Sequence, residues 1–503
     1  MRRLVKAFAL VTILSCVTRF ISFLFKIFLS RWLGAELLGI YQITFSLFAL
    51  FLSVASSGIP VTLSRMTAEQ NSLSNNSAIN SIFTTSLLLS LMISGTIITV
   101  IICFPSILSY LFSDGRCCTL FWILLPMLIT STLYSVIRGW FWGKKQFFIF
   151  SVTELVEEII KIILTTTLLL TGIFGIGKFY SYAVAMLLTD ILLVIILAIC
   201  FIYKGGRLGK PLYTSNIVRS ATPLTITRIF GSLMSTFLSL SIPMLLSTKC
   251  GLSTTVATAQ FGRASGMVMP LIFAPSSIVG SLGVVLIPEI AGRSKTTSCS
   301  QVRNKIGHAI EFSCIVSCFF FVLFSACGKN LASILYNDTL AGEYLAKACV
   351  LMIPMCVNSI TISILNSLGK ENQTFLSHIV CCVALAIVTL IVPKYLGIMA
   401  YFVALFVFHS LGCIINLTLL SKNIGMTSTT VNHSLSALIS ALGLGLCMVS
   451  VSDLLTKKCG TYLSLFISSA IAIVVYISFL TLTKIINIKD LYKKNKPYSP
   501  RMF

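Results

Sequence analysis

Arg19 and Lys26 stand inside an apolar run from Ala7 to Ser30. At helical spacing Ser15, Arg19, Ser22, Lys26 and Ser30 fall on one face, a stripe of hydroxyls and cations with no acid on the same helix. A second stripe, Arg228, Ser232, Ser235 and Ser239, repeats the pattern later in the chain. A cation near a bilayer midplane costs about 2.5 kcal/mol or more, so it is kept for a partner or for a task. Two such stripes facing each other line a wet, positive cavity, and the chemistry open to them is anion binding. Charge-assisted hydrogen bonds and the planar arginine fork suit a phosphate group. The competing reading is a structural ion pair, or a side chain snorkelling to the surface.

Other polar residues inside apolar segments offer less. Arg263 joins the substrate-contacting candidates as a further interior cation. Asp190, in mid-helix, reads either as a partner for an arginine or as a site for a coupling cation, and Glu36 is a second candidate for either role. Glu154, Glu157, Glu158 and Lys161 crowd one helix end, where Glu157 and Lys161, four apart, are expected to pair. The stretch GIFGIGKF (172–179) has Walker A spacing, but Phe179 stands where Ser or Thr must hold magnesium. Most of the 17 cysteines sit in apolar runs as small hydrophobes, and the four histidines are scattered. No metal site, cofactor or catalytic residue is expected. A membrane enzyme should show paired acids, or an acid with histidine, in a sizeable outer loop; the longest such segment, 329–345, has only Asp338 and Glu343.

The elements that position these residues follow from composition. Of 503 residues 56% are hydrophobic and 10% charged, with a mean hydropathy of +0.98. Soluble domains carry about 25% charged residues, so the chain reads as an integral, all-α polytopic membrane protein. The net charge of +23 is therefore sorted by membrane side and is not a nucleic-acid footprint. The N-terminal MRRLVKAFALVTILSC imitates a signal peptide, but the apolar run continues to Ser30 and reads as a first spanning helix.

Fourteen transmembrane helices are expected, near 8–30, 38–58, 79–103, 119–140, 152–173, 180–203, 217–247, 257–289, 307–328, 346–367, 374–392, 398–421, 433–453 and 461–485. Pro270 and Pro275 are expected to break the long eighth segment. With the N-terminus inside, inner segments hold 23 of the 37 Lys and Arg, outer ones nine and the membrane interior five. Both termini are thus expected in the cytoplasm, with the basic tail IKDLYKKNKPYSPRMF at the inner surface.

Internal echoes suggest a duplication. VTRFISFLFKIFLS (17–30) resembles ITRIFGSLMSTFLS (226–239). Ile59-Pro60 with Arg65 matches Ile287-Pro288 with Arg293, and Pro126-Met127 matches Pro354-Met355, both at an offset of 228 residues. The organisation read from this is an N-terminal half, 1–216, a C-terminal half, 217–425, and an addition, 426–503, with two pseudo-symmetric six-helix halves pointing the same way. Pro60, Arg65, Pro275 and Pro288 are hinge or gate candidates in that scheme.

SRWLGAELLGIYQ (30–42), SSGIPVTLSRMTAE (56–69), IRGWFWGKKQ (137–146) and GRASGMVMPLIFAPSSIVGSLGVVLIPEIAG (262–292) resemble the stage V sporulation protein B group of the multidrug/oligosaccharidyl-lipid/polysaccharide (MOP) exporter superfamily. The resemblance covers nearly the whole chain. It implies a flippase of undecaprenyl-pyrophosphate-linked saccharides in the cytoplasmic membrane, with peptidoglycan precursor for spore cortex as the cargo. A capsular or teichoic polysaccharide flippase, or a multidrug exporter of the same fold, is the alternative. Partners implied are the lipid-linked saccharide, membrane lipids and cell-wall synthesis proteins. In related lipid II flippases, basic residues of helices 1 and 8 line the central cavity and a groove of helices 13 and 14 takes the lipid tail. Arg19 matches one helix 1 position; the next falls on Phe25, beside Lys26. The helix 8 arginine falls near Leu271, with Arg263 about two turns away.

Overall fold

The structure is a computed structural model, and it describes residues 2–56, 58–171, 177–280, 299–424 and 428–482. Among these every regular element is helical. The chain forms two compact units, Met1–Gly262 and Arg263–Phe503.

The first unit holds α1 (Arg2–Ser56), α2 (Ile59–Ser72), α3 (Asn76–Cys103), α4 (Ser106–Leu111), α5 (Gly115–Leu124), α6 (Met127–Gly143), α7 (Phe147–Thr171), α8 (Lys178–Tyr203), α9 (Thr214–Cys250) and α10 (Thr254–Phe261). A straight helix as long as α1 would span roughly 80 Å, well beyond one hydrocarbon core. Gly34 breaks it at φ 76° and ψ 173°, a conformation that only glycine adopts readily. Past the break, α1 lies against α9: Ser53 Oγ and Ser232 Oγ are 2.6 Å apart, and Thr236 Oγ1 donates to the Ser46 carbonyl at 2.7 Å. These bonds hold α9 in the first unit, so the compact units divide one long helix later than the sequence repeat does. The core gathers Leu63, Ile79, Ile82, Phe83, Trp140, Phe141 and Phe201, with Phe83 stacked on Phe201 at 4.3 Å. Helix α6 comes close to α2 because Gly139 has no Cβ; one there would meet the Pro60 carbonyl at 2.7 Å.

The second unit holds the helical residues 269–280 (α11), then α12 (Cys299–Tyr336), α13 (Thr339–Ala348), α14 (Met352–Ser367), α15 (Glu371–Ile391), α16 (Pro393–Leu396), α17 (Met399–Ile424), α18 (Ser428–Cys459) and α19 (Thr461–Leu482). Its core is Ile306, Ile310, Cys314, Cys356, Ile360, Ile364 and Leu420. Helices α18 and α19 are fastened to α12 by side-chain amides and hydroxyls: Asn330 Nδ2 donates to Thr456 at 2.9 Å, and Tyr476 donates to the Ile315 carbonyl at 2.9 Å.

Ten helices, or eleven with the pair α5–α6 bent by 45°, are long and apolar enough to cross a membrane among the described residues. The chain is a multi-pass membrane protein. The break expected at Pro270 and Pro275 lies earlier. A π-helical turn at Gly262–Val268 separates α10 from α11, Pro270 is the second residue of α11, where proline's missing N–H is tolerated, and Pro275 sits buried within it. Pro288 and the basic tail lie outside the described residues.

Candidate functional site

A cavity of about 360 Å³ opens within the first unit, lined by Ser53, Ser56, Pro60, Ser135, Arg138, Trp142 and Arg228, with small apolar residues between them. Four helices contribute. The second stretch of α1 gives two serines, α2 begins at its rim with Pro60 in the first turn, α6 gives Ser135 and Arg138, and α9 gives Arg228. Arg138 and Trp142 are one helical turn apart, so both reach the same side of α6. The guanidinium lies over two rings, 4.6 Å from the Trp142 centroid and 4.1 Å from that of Phe150 on α7. Its remaining polar partner is loose: Glu154 Oε1 stands 3.8 Å from Nη2, too far for a hydrogen bond. The rings cover part of the fork, whose side chain is 35% exposed, and its donors stay available to an anion.

Arg19 belongs to the edge of this arrangement. Its exposed side chain is near enough for its charge to act on Glu154, so α1, α7 and α6 bring Arg19, Glu154 and Arg138 into one row. Lys26, further along the stripe, lies within Coulombic reach of Glu158 and Lys161. The acids missing from α1 ahead of its Gly34 break are therefore supplied by α7. Arg19 and Arg228 both fall in the first unit, and the cavity pairs Arg228 with Arg138. Ser22 is half-buried on the stripe, and Ser232 is bonded to Ser53 beside the cavity.

The remaining candidates have other company. Lys161 Nζ donates to Glu158 Oε2 at 2.7 Å, not to Glu157 as the four-residue spacing suggested, because Glu157 accepts from the Tyr134 hydroxyl on α6 at 3.3 Å. Asp190, 8% exposed, meets no arginine among the described residues but lies within Coulombic reach of Lys161; its Oδ2 accepts from Thr130 at 2.6 Å and Ser131 at 2.8 Å. Arg263 donates from Nε to Asp338 Oδ2 at 2.7 Å, and Asp338 also caps α13 by accepting from the Ala341 N–H at 3.0 Å, so this arginine is tied to a helix end. Arg65 donates to Ser220 Oγ at 3.1 Å. Glu36 meets Arg116 Nη2 at 2.6 Å, and Arg116 also meets Asp114 at 2.8 Å, at the far end of the unit from Arg19. Burial pushes the Asp114 carboxyl up, but hydrogen bonds from the Arg116 side chain and backbone, with its charge, hold the net value below the usual carboxylate range. Among the described residues no three His, Cys, Asp or Glu side chains gather at metal-binding distance.

Arg138 is the site residue that sequence reasoning missed. It sits at a span end and counts as one more inner-surface charge, yet the arginine-tryptophan pair in IRGWFWGKKQ is the signal that could have found it.

An all-helical membrane protein with arginines on an interior cavity defines the class. Residues 4–294 match the polysaccharide biosynthesis protein family, and the chain belongs to it. Stage V sporulation protein B of Bacillus subtilis (strain 168) is 24% identical over 347 residues, covering 65% of this chain and 66% of that protein. Sporulation protein YkvU of the same organism is 22% identical over 310 residues, covering 58% and 66%. The chain thus spans just under two thirds of the length of these curated relatives. Among solved structures, the lipid II flippase MurJ in an inward closed conformation superposes with a TM-score of 0.76 at 14% identity, over 96% of this chain and all of that one. An inward-facing MATE family transporter of the MOP superfamily gives 0.66 at 15% identity, over 82% and 96%. At these identities the likeness carries the fold.

Proposed function

We propose that the chain is a flippase that moves an undecaprenyl-pyrophosphate-linked saccharide across the cytoplasmic membrane by alternating access. The observation that carries this reading is the convergence of Arg138 and Arg228 with three serines on one cavity inside a chain of apolar helices. A pyrophosphate cannot cross hydrocarbon unaided, and charge-assisted bonds from arginine compensate its desolvation. Arg19 extends the positive surface toward Glu154, with Lys26 further along α1. The relatives named for sporulation and the flippase fold support a cell-wall precursor as cargo, for spore cortex. Fourteen crossings follow when α1 counts as two at its Gly34 break, α5–α6 as one, and charged α7 and the α10–α11 segment as one each. With both termini cytoplasmic, the Pro60 and Trp142 rim of the cavity faces inward, where the precursor is made.

The test is flipping of fluorescent undecaprenyl-pyrophosphate saccharides in proteoliposomes, with membrane abundance measured alongside. Wild type is expected to flip them. Arg138→Ala should keep normal abundance and lose about 10- to 100-fold in rate, the equivalent of one charge-assisted hydrogen bond pair. Arg138→Lys should recover part, since lysine keeps the charge and loses the fork. Movement of organic cations but not of polyprenyl pyrophosphates, or an Arg138→Ala protein that flips normally, overturns the reading.

A further inference from the structure

The second unit contains a polar row that the cavity of the first does not use. On α17, His409, Gly412 and Asn416 share one face at spacings of three and four. Facing them on α14 is Asn358, 4% exposed, whose position depends on Gly412: a Cβ there would meet both Nδ2 and Oδ1 of Asn358 at 2.9 Å. Asn416, 1% exposed, donates from Nδ2 to Asn358 Oδ1 at 2.9 Å. Asn358 Nδ2 in turn faces His409 Nδ1 at 3.5 Å, the long limit of a hydrogen bond. An amide NH2 can only donate, so Nδ1 is the accepting nitrogen and the ring proton sits on Nε2. The row runs in one direction, toward the imidazole. At its other end the Asn416 Oδ1 is buried and accepts nothing.

We infer that His409, joined through Asn358 to Asn416, is a proton-binding site inside the second unit. The Nδ1 lone pair takes a proton from hydronium, leaving water and an imidazolium. That Nδ1–H can no longer face an NH2, so Asn358 must turn to present Oδ1. Asn416, now facing an NH2, must turn as well and present the oxygen that had no partner. The two bonds of the row survive with their direction reversed. Because Oδ1 of Asn416 is held by nothing, no bond outside the row has to break for that amide to turn. A row of two amides therefore serves either protonation state of the imidazole without a buried acid. His409 is half-buried while both amides are sealed, so the ring is the one member of the row that reaches the surface of the unit.

The titratable groups around the row are few. On α15, His378 is within Coulombic reach of His409, and Phe408 lies between them with ring centroids 5.4 Å from His378 and 5.0 Å from His409. Cys381 and Cys382 on α15, Cys356 on α14, Cys314 on α12 and Cys413 on α17 complete the interior. Among the described residues of α14 to α17 charge occurs only toward helix ends, at Glu371, Lys394 with Tyr395, and Lys422; on α12 Glu311 lies one turn from Cys314, where His433 of α18 meets it at 2.5 Å and His308 at 3.5 Å. With no carboxylate beside it, the imidazole depends on the amide row for an acceptor.

The experiment is ¹⁵N-histidine NMR of the full chain in lipid nanodiscs across about pH 4 to 8, the range in which histidine titrates. His409→Gln assigns the signal. Wild type should show the Nε2–H tautomer at high pH and titrate reversibly. Asn416→Leu, which leaves Asn358 nothing to donate to after turning, should lower the midpoint by about one pH unit, a tenfold loss of proton affinity. Asn416→Asp should raise it, since a carboxylate accepts in either state, and this second variant decides the matter if the leucine variant does not fold. A His409 signal that does not titrate, a high-pH Nδ1–H tautomer, or a midpoint indifferent to Asn416→Asp overturns the inference. None of these readouts requires that the chain flip a lipid.

Discussion

Both units bury polar groups among apolar helices, but the groups differ in kind. The first unit buries formal charge: Glu158 and Asp190 are 7% and 8% exposed, and α7 alone carries Glu154, Glu157, Glu158 and Lys161. The second, among the described residues, buries no Asp, Glu, Lys or Arg; its interior polar groups are serine, threonine and asparagine, with a half-buried histidine and an apolar cavity of about 450 Å³ near Ser410 and Cys413. Charge in hydrocarbon is retained only where something compensates it. In the first unit the compensation is partial, because Arg138 has rings and a distant carboxylate in place of a close ion pair. That incompleteness leaves donors for a substrate. The second unit shows no such surplus among the described residues: Arg263 is closed by Asp338, Glu311 is met by His433, and the ring of His409 rests on a neutral row.

The largest effect expected from this contrast is at the Lys161–Glu158 pair, whose side chains are 16% and 9% exposed. Lys161→Met strands a buried carboxylate and should destabilise the first unit by about 3–5 kcal/mol, whereas Lys161→Met combined with Glu158→Gln should recover most of that. Thermal unfolding in detergent, followed for both variants, reads the difference. Equal stability of wild type and Lys161→Met would mean that the interior charges of this unit are not mutually compensated, and the contrast with the second unit would lose its physical basis.

The same residues show how far the sequence could be read. The stripe from Ser15 to Ser30 was legible because helical spacing is a local property, and the all-helical membrane fold followed from hydropathy and the charge count. Partners were not legible, because they come from other helices. Local spacing favoured Glu157 for Lys161, but Tyr134 on α6 takes Glu157 and leaves Glu158. Arg263 looked like a cavity cation until Asp338, 75 residues away, was found to hold it. Arg138 looked like surface charge because only the fold brings Phe150 and Glu154 over it.

A smaller effect is expected in the second unit. Gly412→Ala adds a Cβ where the Asn358 amide lies, at 2.9 Å from both of its polar atoms. Alanine favours the helix by about 1 kcal/mol over glycine, so the added crowding and helix propensity oppose each other. The overpacking term, about 1–3 kcal/mol, should win and leave the protein less stable by about 1 kcal/mol, with the NMR signal of His409 displaced. A protein stabilised by this change would show that Asn358 has room to move aside, and that the row is looser than its geometry suggests.

The smallest effect is at Asp114, and it tests whether charge in the first unit matters because of where it lies. Asp114 caps α5 by accepting from the Arg116 N–H at 2.9 Å, and Arg116 bridges it to Glu36 past the Gly34 break. This cluster stands at helix ends; Asp114 itself is 14% exposed, but the Arg116 and Glu36 side chains that meet it are each 37% exposed, so water screens the pairs through them. The Asp114 carboxyl is held below its usual value by Arg116 despite burial. A depressed folded value means that the stabilisation is present above the unfolded value, about 3.9, and is lost as pH falls through the folded one. Unfolding midpoints in detergent should therefore be flat from about pH 5 to 8 on account of this group and fall only below about pH 4. Asp114→Asn keeps an N-cap acceptor and removes the charge, so at neutral pH it should cost under about 1 kcal/mol and should flatten the acid limb. If Asp114→Asn instead destabilised the protein as much as Lys161→Met, charge at the water-facing end would count as heavily as charge among the spans, and burial could not be what separates the two.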